Sequence, residues 1–324
     1  MAKEMTQGII LSLGSVNADF QVRVDQKIGE TTTVLARDFR RLSGGKAANV
    51  AYLASKLGAP ASIIARVGDD DLSLQALGAL KEMAIDLRHV EKVQGATTGF
   101  SMIMVPADGK KNIMLSTNAN DAWEESDHQK VRVAIAEAPE GSVLVVDYEI
   151  PAFIVEVAIK AAHEKGFSIV LDPSPPVRVN KALFFMVDYI VPDASEAEGL
   201  TGSRATSAEE GKKAALKLLQ DGVRHAIIKL EDGGCVIANA EIILHVPPVE
   251  VEVVDTTGAG DAFAGALAVA ILEKRTLKDM ACFAVAASHA AVTAYGSQPA
   301  YPARERLEEL FDQISAKVKK LHAK

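Results

Sequence analysis

Val143-Leu144-Val145-Val146-Asp147-Tyr148-Glu149, then the helical stretch Pro151–Lys165, then Ile169-Val170-Leu171-Asp172 is the part of the chain that decides its fold class. Two short runs of aliphatic residues flank a helix-length segment, and each run ends on acidic residues. A strand that is apolar at every position, not at alternate ones, must be covered on both faces. The same unit recurs on either side. Ile9–Leu13, Ile63–Val67, Tyr189–Val191 and Ala226–Lys229 read as strands, and Lys46–Leu57, Ser126–Ala138 and Ala208–Gln220 as helices. In Lys46–Leu57, Val50, Leu53, Ala54 and Leu57 follow the i, i+3, i+4, i+7 spacing, and Gly58 stops the helix. The expected fold is α/β and Rossmann-like, a central, mostly parallel sheet with helices on both faces.

Two regions break this rhythm. Phe20–Arg41 and Thr97–Ser116 read as short strands of polar alternation without a crossover helix, the first after strand one, the second after a helix over Asp70–Ala84. Each is expected to form part of a small antiparallel sheet, a lid made of segments at about 20–42 and 97–116. No repeat or long linker divides residues 1–324, which read as a single domain.

Polar residues gather at one end of the strands: Asp147 and Glu149, Asp172, Asp193 after Tyr189–Val191, and Lys229. Open α/β sheets bind ligands outside the carboxyl ends of their strands. The net charge of −8 and the acidic balance exclude a basic face for nucleic acid, yet still allow a small anion held by local backbone N–H groups. Cys235 and Cys282 stand far apart, which argues against both a disulfide framework and a cysteine zinc site. Met1–Gly8 carries no apolar core of a secretory signal, and the longest apolar run, Ala262–Leu272, is too short to span a bilayer. The cytoplasm is the expected compartment.

The sharpest motif is Asp255-Thr256-Thr257-Gly258-Ala259-Gly260-Asp261, with an expected strand Val249–Val254 leading in and the all-round apolar helix Ala262–Leu272 leading out. A glycine turn at a buried helix start aims unpaired N–H groups at one point, where the helix dipole also favours negative charge. That suits the charge growing on a transferring phosphoryl group. Asp261, in the first turn, is placed to take a proton from an attacking hydroxyl. A glycine turn with a capping aspartate would look alike locally. Gly44-Gly45-Lys46 is no P-loop, because Ala47 stands where Ser or Thr would bind Mg²⁺ and Arg40 where the first glycine belongs.

Gly14-Ser15-Val16-Asn17-Ala18-Asp19 follows the first strand. In extended chain Asn17 and Asp19 share a face, and a carboxylate beside an amide suits vicinal hydroxyls. A polar turn with local hydrogen bonds is the bland alternative. Gly44-Gly45-Lys46-Ala47-Ala48-Asn49 opens the next helix, where Lys46 and Asn49 lie one turn apart near its N-terminus.

Together these segments resemble the ribokinase-like (PfkB-type) carbohydrate kinases over nearly the whole chain, including the tail Ala291–Pro299. The resemblance implies an ATP-dependent sugar kinase acting on a primary hydroxyl, with ribose as the first candidate acceptor. A hexose, 2-keto-3-deoxygluconate or a nucleoside stays open, as does a catalytically silent sugar sensor. It further implies that Asn17, Asp19, Gly45, Lys46, Asn49 and Glu149 hold the sugar, that Gly258, Ala259 and Gly260 form the anion hole, and that Asp261 is the base. Asp193, Glu196, Lys229 and Glu231 fall at nucleotide and Mg²⁺ positions. Asp255, with carbonyls of Thr257, Ala291, Ala294 and Gly296, matches a monovalent-cation site for K⁺. The lid implies a homodimer interface. The chain departs from the family pattern where Asp193 replaces Asn, where Glu231 replaces a common Gly, and where Ala47 replaces the Gly of ribokinases.

Overall fold

The computed structural model describes residues 8–25 and 33–322. The Met1–Gln7 start and positions 26–32 of the first lid segment lie outside the described residues. From β1 (Ile10–Leu13) the chain runs into β2 (Asn17–Val24) and β3 (Ala36–Gly44), then α1 (Lys46–Lys56) and β4 (Ala61–Gly68). Next come α2 (Leu72–Glu82), β5 (Asp86–Val93), β6 (Gly99–Val105), β7 (Asn112–Ser116) and α3 (His128–Glu137). The deciding stretch folds as β8 (Val143–Val146), α4 (Ala152–Glu164) and β9 (Ser168–Leu171). It continues through β10 (Tyr189–Ile190), α5 (Ala194–Thr201), α6 (Ala208–Gln220) and β11 (His225–Lys229). The remainder is β12 (Cys235–Ala238), β13 (Ile243–Val246), α7 (Ala259–Leu272), α8 (Leu277–Ala291), α9 (Arg304–Ser315) and β14 (Lys319–Leu321).

Ten strands form one sheet in the order β14-β13-β12-β11-β10-β9-β8-β1-β4-β5, parallel from β5 to β11 and antiparallel beyond. Side chains alternate between two cores. Ile10, Val143 and Val145 enter the core beneath α1, α7 and α8, whereas Leu11, Leu144 and Val146 enter the one beneath α4 and α6. That double cover explains the unbroken apolar runs, each buried Leu, Ile or Val side chain contributing about 1.5–3 kcal/mol.

The strand order reverses between β1 and β8, whose neighbours are β4 on one side and β9 on the other. A crevice opens at the carboxyl ends of such a pair. Both Gly14–Asn17, after β1, and Asp147–Glu149, after β8, sit there.

The small sheet has the order β3-β2-β6-β7, as expected of a lid, but its pairing differs from a purely antiparallel one. β2 and β6 run parallel, because they come from separate excursions that leave the large sheet in the same direction. The expected strand Val249–Val254 does not form. The edge strand β13 is already taken by β14, so the segment runs unladdered, and the amides of Val254 and Asp255 donate to the Val292 carbonyl instead (2.8 and 3.3 Å).

Candidate active site

α7 is buried along nearly its whole length, which requires small residues where helices touch. A Cβ at Gly265 would lie 3.2 Å from the Val50 carbonyl, so α1 packs backbone-close on α7. This close packing brings Asn49 and Lys46 to Asp261. The Asn49 amide donates to Asp261 Oδ2 at 2.7 Å, and Lys46 Nζ lies 3.5 Å from Oδ1. Gln298 donates to Asn49 Oδ1 at 3.0 Å, which turns the Asn49 NH₂ toward the carboxylate.

Gly258 precedes α7 at φ 75°, a left-handed turn natural to glycine. A Cβ there would also come within 2.7 Å of the Tyr301 hydroxyl. Among the described residues the amides of Gly258 and Gly260 find no acceptor, and Ala259 N–H makes only a long bond of 3.4 Å to the Thr256 carbonyl. Unsatisfied donors at a buried helix start constitute an anion site in waiting.

On β2, Asn17 and Asp19 face the cavity from alternate positions. Asn17 lies opposite Gly44 and Gly99, and Asp19 opposite Leu42 and Ser101. Asn17 Oδ1 accepts from Asn120 at 2.8 Å, and Asp19 Oδ1 from the Ser101 hydroxyl at 2.5 Å. The Asp19 carboxylate lies over Gly44, where a Cβ would stand 1.9 Å from Oδ2. Burial pushes the Asp19 carboxyl up to about 7, the Ser101 bond only partly opposing it. Glu149 accepts from the Ser15 hydroxyl at 2.6 Å, and that hydroxyl oxygen in turn accepts from Lys46 N–H at 2.9 Å. Glu149 too is raised by burial, with Lys46 pulling it back.

Lys46 Nζ donates to Asp172 Oδ2 at 3.0 Å. Burial alone would lower the ammonium, but Asp172, Asp261 and Glu149 hold it well above the usual lysine range. Asp172 shows the mirror image: burial would raise it, and Lys46 and Lys229 carry it below the usual carboxylate range. Lys229 Nζ lies 4.0 Å from Asp172 and 3.9 Å from Glu196. Asp193 and Glu196 cap α5 reciprocally, each side chain accepting the other's backbone N–H (2.8 and 2.7 Å).

Most of these groups line one cavity of about 390 Å³, roofed by Ile103, Ile113 and Leu115 of the lid; Asp172 is not among its lining residues, and Ala259 lines a second cleft. It holds Asn17, Asp19, Gly45, Lys46, Asn49, Glu149, Asp193, Glu196, Lys229, Gly258, Gly260 and Asp261, all expected from sequence. Glu231 lies elsewhere, paired with Arg204 at 2.7 Å on the rim of a neighbouring cleft of about 900 Å³. The two spaces meet at Leu230, Gly233 and Ser288.

Asp255 is fully buried behind the glycine turn. Its Oδ1 accepts from Thr257 N–H and hydroxyl (2.9 and 2.7 Å); its Oδ2 accepts from Gly296 N–H at 2.9 Å and from the Gln21 amide. Among the described residues no Lys or Arg pairs with it, and the carbonyls of Thr257, Ala294 and Gly296 accept no hydrogen bond. The buried Ser297 hydroxyl and Gln21 Oε1 are likewise unpaired.

Sequence reasoning gave no role to Ser101, Lys111 or Asp172. Asp172 was signalled by its place at a strand end, whereas Ser101 and Lys111 sit in lid segments whose polar residues look solvated.

The model of the pfkB family carbohydrate kinases matches residues 9–304. A ribokinase of Haemophilus influenzae is 31% identical over 302 residues, which cover 93% of this chain and 97% of that protein. A deoxyribokinase of Salmonella typhi is 29% identical over 93% of this chain and 97% of its own length. In three dimensions the chain is similar to Arabidopsis thaliana ribokinase complexed with ribose and ATP: TM-score 0.79, 28% identity, 94% of this chain and 99% of that one.

Proposed function

The chain belongs to the pfkB family of carbohydrate kinases, and from that premise we propose that it transfers the γ-phosphoryl group of ATP to the primary hydroxyl of ribose, giving ribose 5-phosphate. One observation carries this reading: Asp261, held by Asn49 and Lys46, shares a cavity with the hydroxyl-binding pair Asn17 and Asp19 and with the unpaired amides at the start of α7. Asn17, Asp19, Gly45, Lys46, Asn49 and Glu149 bind and orient the sugar. Asp261 takes the proton of the primary hydroxyl as its oxygen attacks the γ-phosphorus, and the bond to the ADP oxygen breaks in line. The N–H groups of Gly258, Ala259 and Gly260 receive the charge on the phosphoryl oxygens. The larger cleft, with Glu231 on its rim, takes the rest of the nucleotide.

Asp193, Glu196 and Lys229 sit where the triphosphate enters. Mg²⁺ binds mostly through phosphate oxygens and water, so two carboxylates at the cavity wall fit it without a protein cage. When bound it neutralises triphosphate charge. The uncompensated Asp255 and the free carbonyls around it fit a monovalent cation, held by Asp255, Thr257, Ala291, Ala294 and Gly296. When bound it adds positive field behind the anion hole.

A panel of acceptors with ATP, read by ADP release and product identity, tests the reading. Ribose is expected to give the highest kcat/KM, ahead of 2-deoxyribose, hexoses, 2-keto-3-deoxygluconate and nucleosides. Preference for 2-deoxyribose would move the assignment toward the deoxyribokinase relative, and no release with any acceptor would mark a silent homologue. In the same assay at constant ionic strength, potassium is expected to activate more than sodium, and Asp255→Ala to erase the difference. Rates unchanged when a large organic cation replaces potassium would remove the cation site.

The outer lid face exposes Phe39, Met102 and Met114, which we read as the surface a second copy covers. Met102→Glu with Met114→Glu is expected to convert dimer to monomer in light scattering; a wild-type monomer would end this reading. Among the described residues no helix is long and apolar enough to cross a membrane, and we place the reaction in the cytoplasm.

A further inference from the structure

Lys111 stands just before β7 and belongs to none of the sugar or phosphate motifs. Its ammonium donates to the Thr256 carbonyl at 3.0 Å. The same oxygen is the one that Ala259 N–H reaches at 3.4 Å. A lid ammonium and an anion-hole amide therefore converge on a single acceptor. The amide bond is at the long limit for N–H···O, so a closer anionic oxygen would take that donor readily.

The lysine is held in place by backbone on both sides. Gly109, at the tip of the β6–β7 turn, accepts from Thr256 N–H at 3.3 Å and from its hydroxyl at 3.1 Å. The turn is thus latched to the loop that carries the anion hole.

Charge balance separates Lys111 from the other two lysines of the cavity. Lys46 is paired with Asp172 and Asp261, and Lys229 lies near Asp172 and Glu196. Among the described ion pairs none involves Lys111, whose partner is a neutral carbonyl. Burial pushes its ammonium below the usual lysine range, while Asp261 pulls it back up. A desolvated cation without a counter-ion gains most from an arriving anion.

We propose that Lys111 is a lid-borne ligand of the γ-phosphoryl group, its ammonium moving from the Thr256 carbonyl to a γ-phosphoryl oxygen when nucleotide fills the anion hole. The proposal rests on the phosphotransfer reading above. It makes the lid part of the catalytic site as well as its cover, because closure delivers a positive charge to the group in flight.

The test compares Lys111→Met and Lys111→Arg with wild type. Binding of ADP and of the β,γ-imido analogue of ATP is measured calorimetrically with ribose present, alongside turnover. Lys111→Met is expected to weaken the analogue by about tenfold or more, to change ADP by less than about twofold, and to lower kcat by about 10²-fold. Lys111→Arg is expected to recover most of both losses. Equal weakening of the two nucleotides, or turnover within about twofold of wild type in Lys111→Met, would overturn the proposal. A wild-type protein that transfers no phosphoryl group to any acceptor would instead strike the kinase reading, and the difference between the two nucleotides would still report on Lys111.

Discussion

Replacing Asp261 with Asn is expected to lower turnover by about 10²–10⁴-fold, the usual contribution of a positioned general base, with sugar affinity and melting temperature little changed. The substitution is nearly isosteric and spares the local geometry. The Asn49 amide that now donates to Oδ2 at 2.7 Å can donate equally to the side-chain oxygen of the new amide. Lys46 keeps its closer partner, Asp172, at 3.0 Å. What is lost is an oxygen able to take a proton from the sugar hydroxyl as it attacks. The effect should therefore fall on kcat, with KM for sugar nearly constant. Single-turnover measurements with excess enzyme would separate the chemical step from product release. Near-normal kcat in Asp261→Asn would place the base elsewhere, with Asp19, Glu149, Asp193 and Glu196 the other carboxylates lining the cavity.

How much of this could be read from the sequence depended on whether the signal was local. Val143–Val146 and Ile169–Leu171 were legible as doubly covered strands because burial on two faces leaves no polar alternation. Asp261 was legible because a glycine turn and the apolar helix behind it are contiguous in the chain. Val249–Val254 misled for the same reason, since Val249, Val251 and Val254 pack against the cores whether or not a neighbouring strand accepts the segment's hydrogen bonds, while Val253 is exposed. The parallel pairing of β2 with β6 was invisible because it joins excursions separated by the whole of α1, β4, α2 and β5. The role of Asp172 emerges only when β9 brings it beneath Lys46, 126 positions away. Lys111 is the extreme case. In the sequence it is one of two lysines in a polar turn, and only the latch at Thr256 turns it inward.

Asp19 should show binding and stability pulling against each other. Its carboxylate is almost wholly buried, and two charge-assisted bonds from sugar hydroxyls would contribute about 1.5–3 kcal/mol each. Asp19→Ala and Asp19→Asn are accordingly expected to weaken ribose binding by at least about tenfold, toward 10²-fold, with ATP binding in the absence of sugar unchanged. The folded protein holds this carboxyl at about 7 against the ordinary aspartate value of 3.8, so between those values it binds more protons than the unfolded chain. Stability from this group is then fully present below the lower value and is lost as pH rises through about 7. Asp19→Asn keeps an acceptor for the Ser101 hydroxyl and removes the titration. It should melt above wild type at pH ~8, by an amount on the order of a few kcal/mol in stability that shrinks toward pH ~4. Sugar hydroxyls favour the ionised carboxylate, so ribose binding to wild type should release a proton near neutrality and tighten as pH rises. That dependence should vanish in Asp19→Asn. Calorimetry in buffers of different ionisation enthalpy reads the proton directly. Loss of sugar and ATP affinity together, or an Asp19→Asn variant that melts below wild type at alkaline pH, would mean that the carboxylate holds the lid strand in place and does not read the sugar.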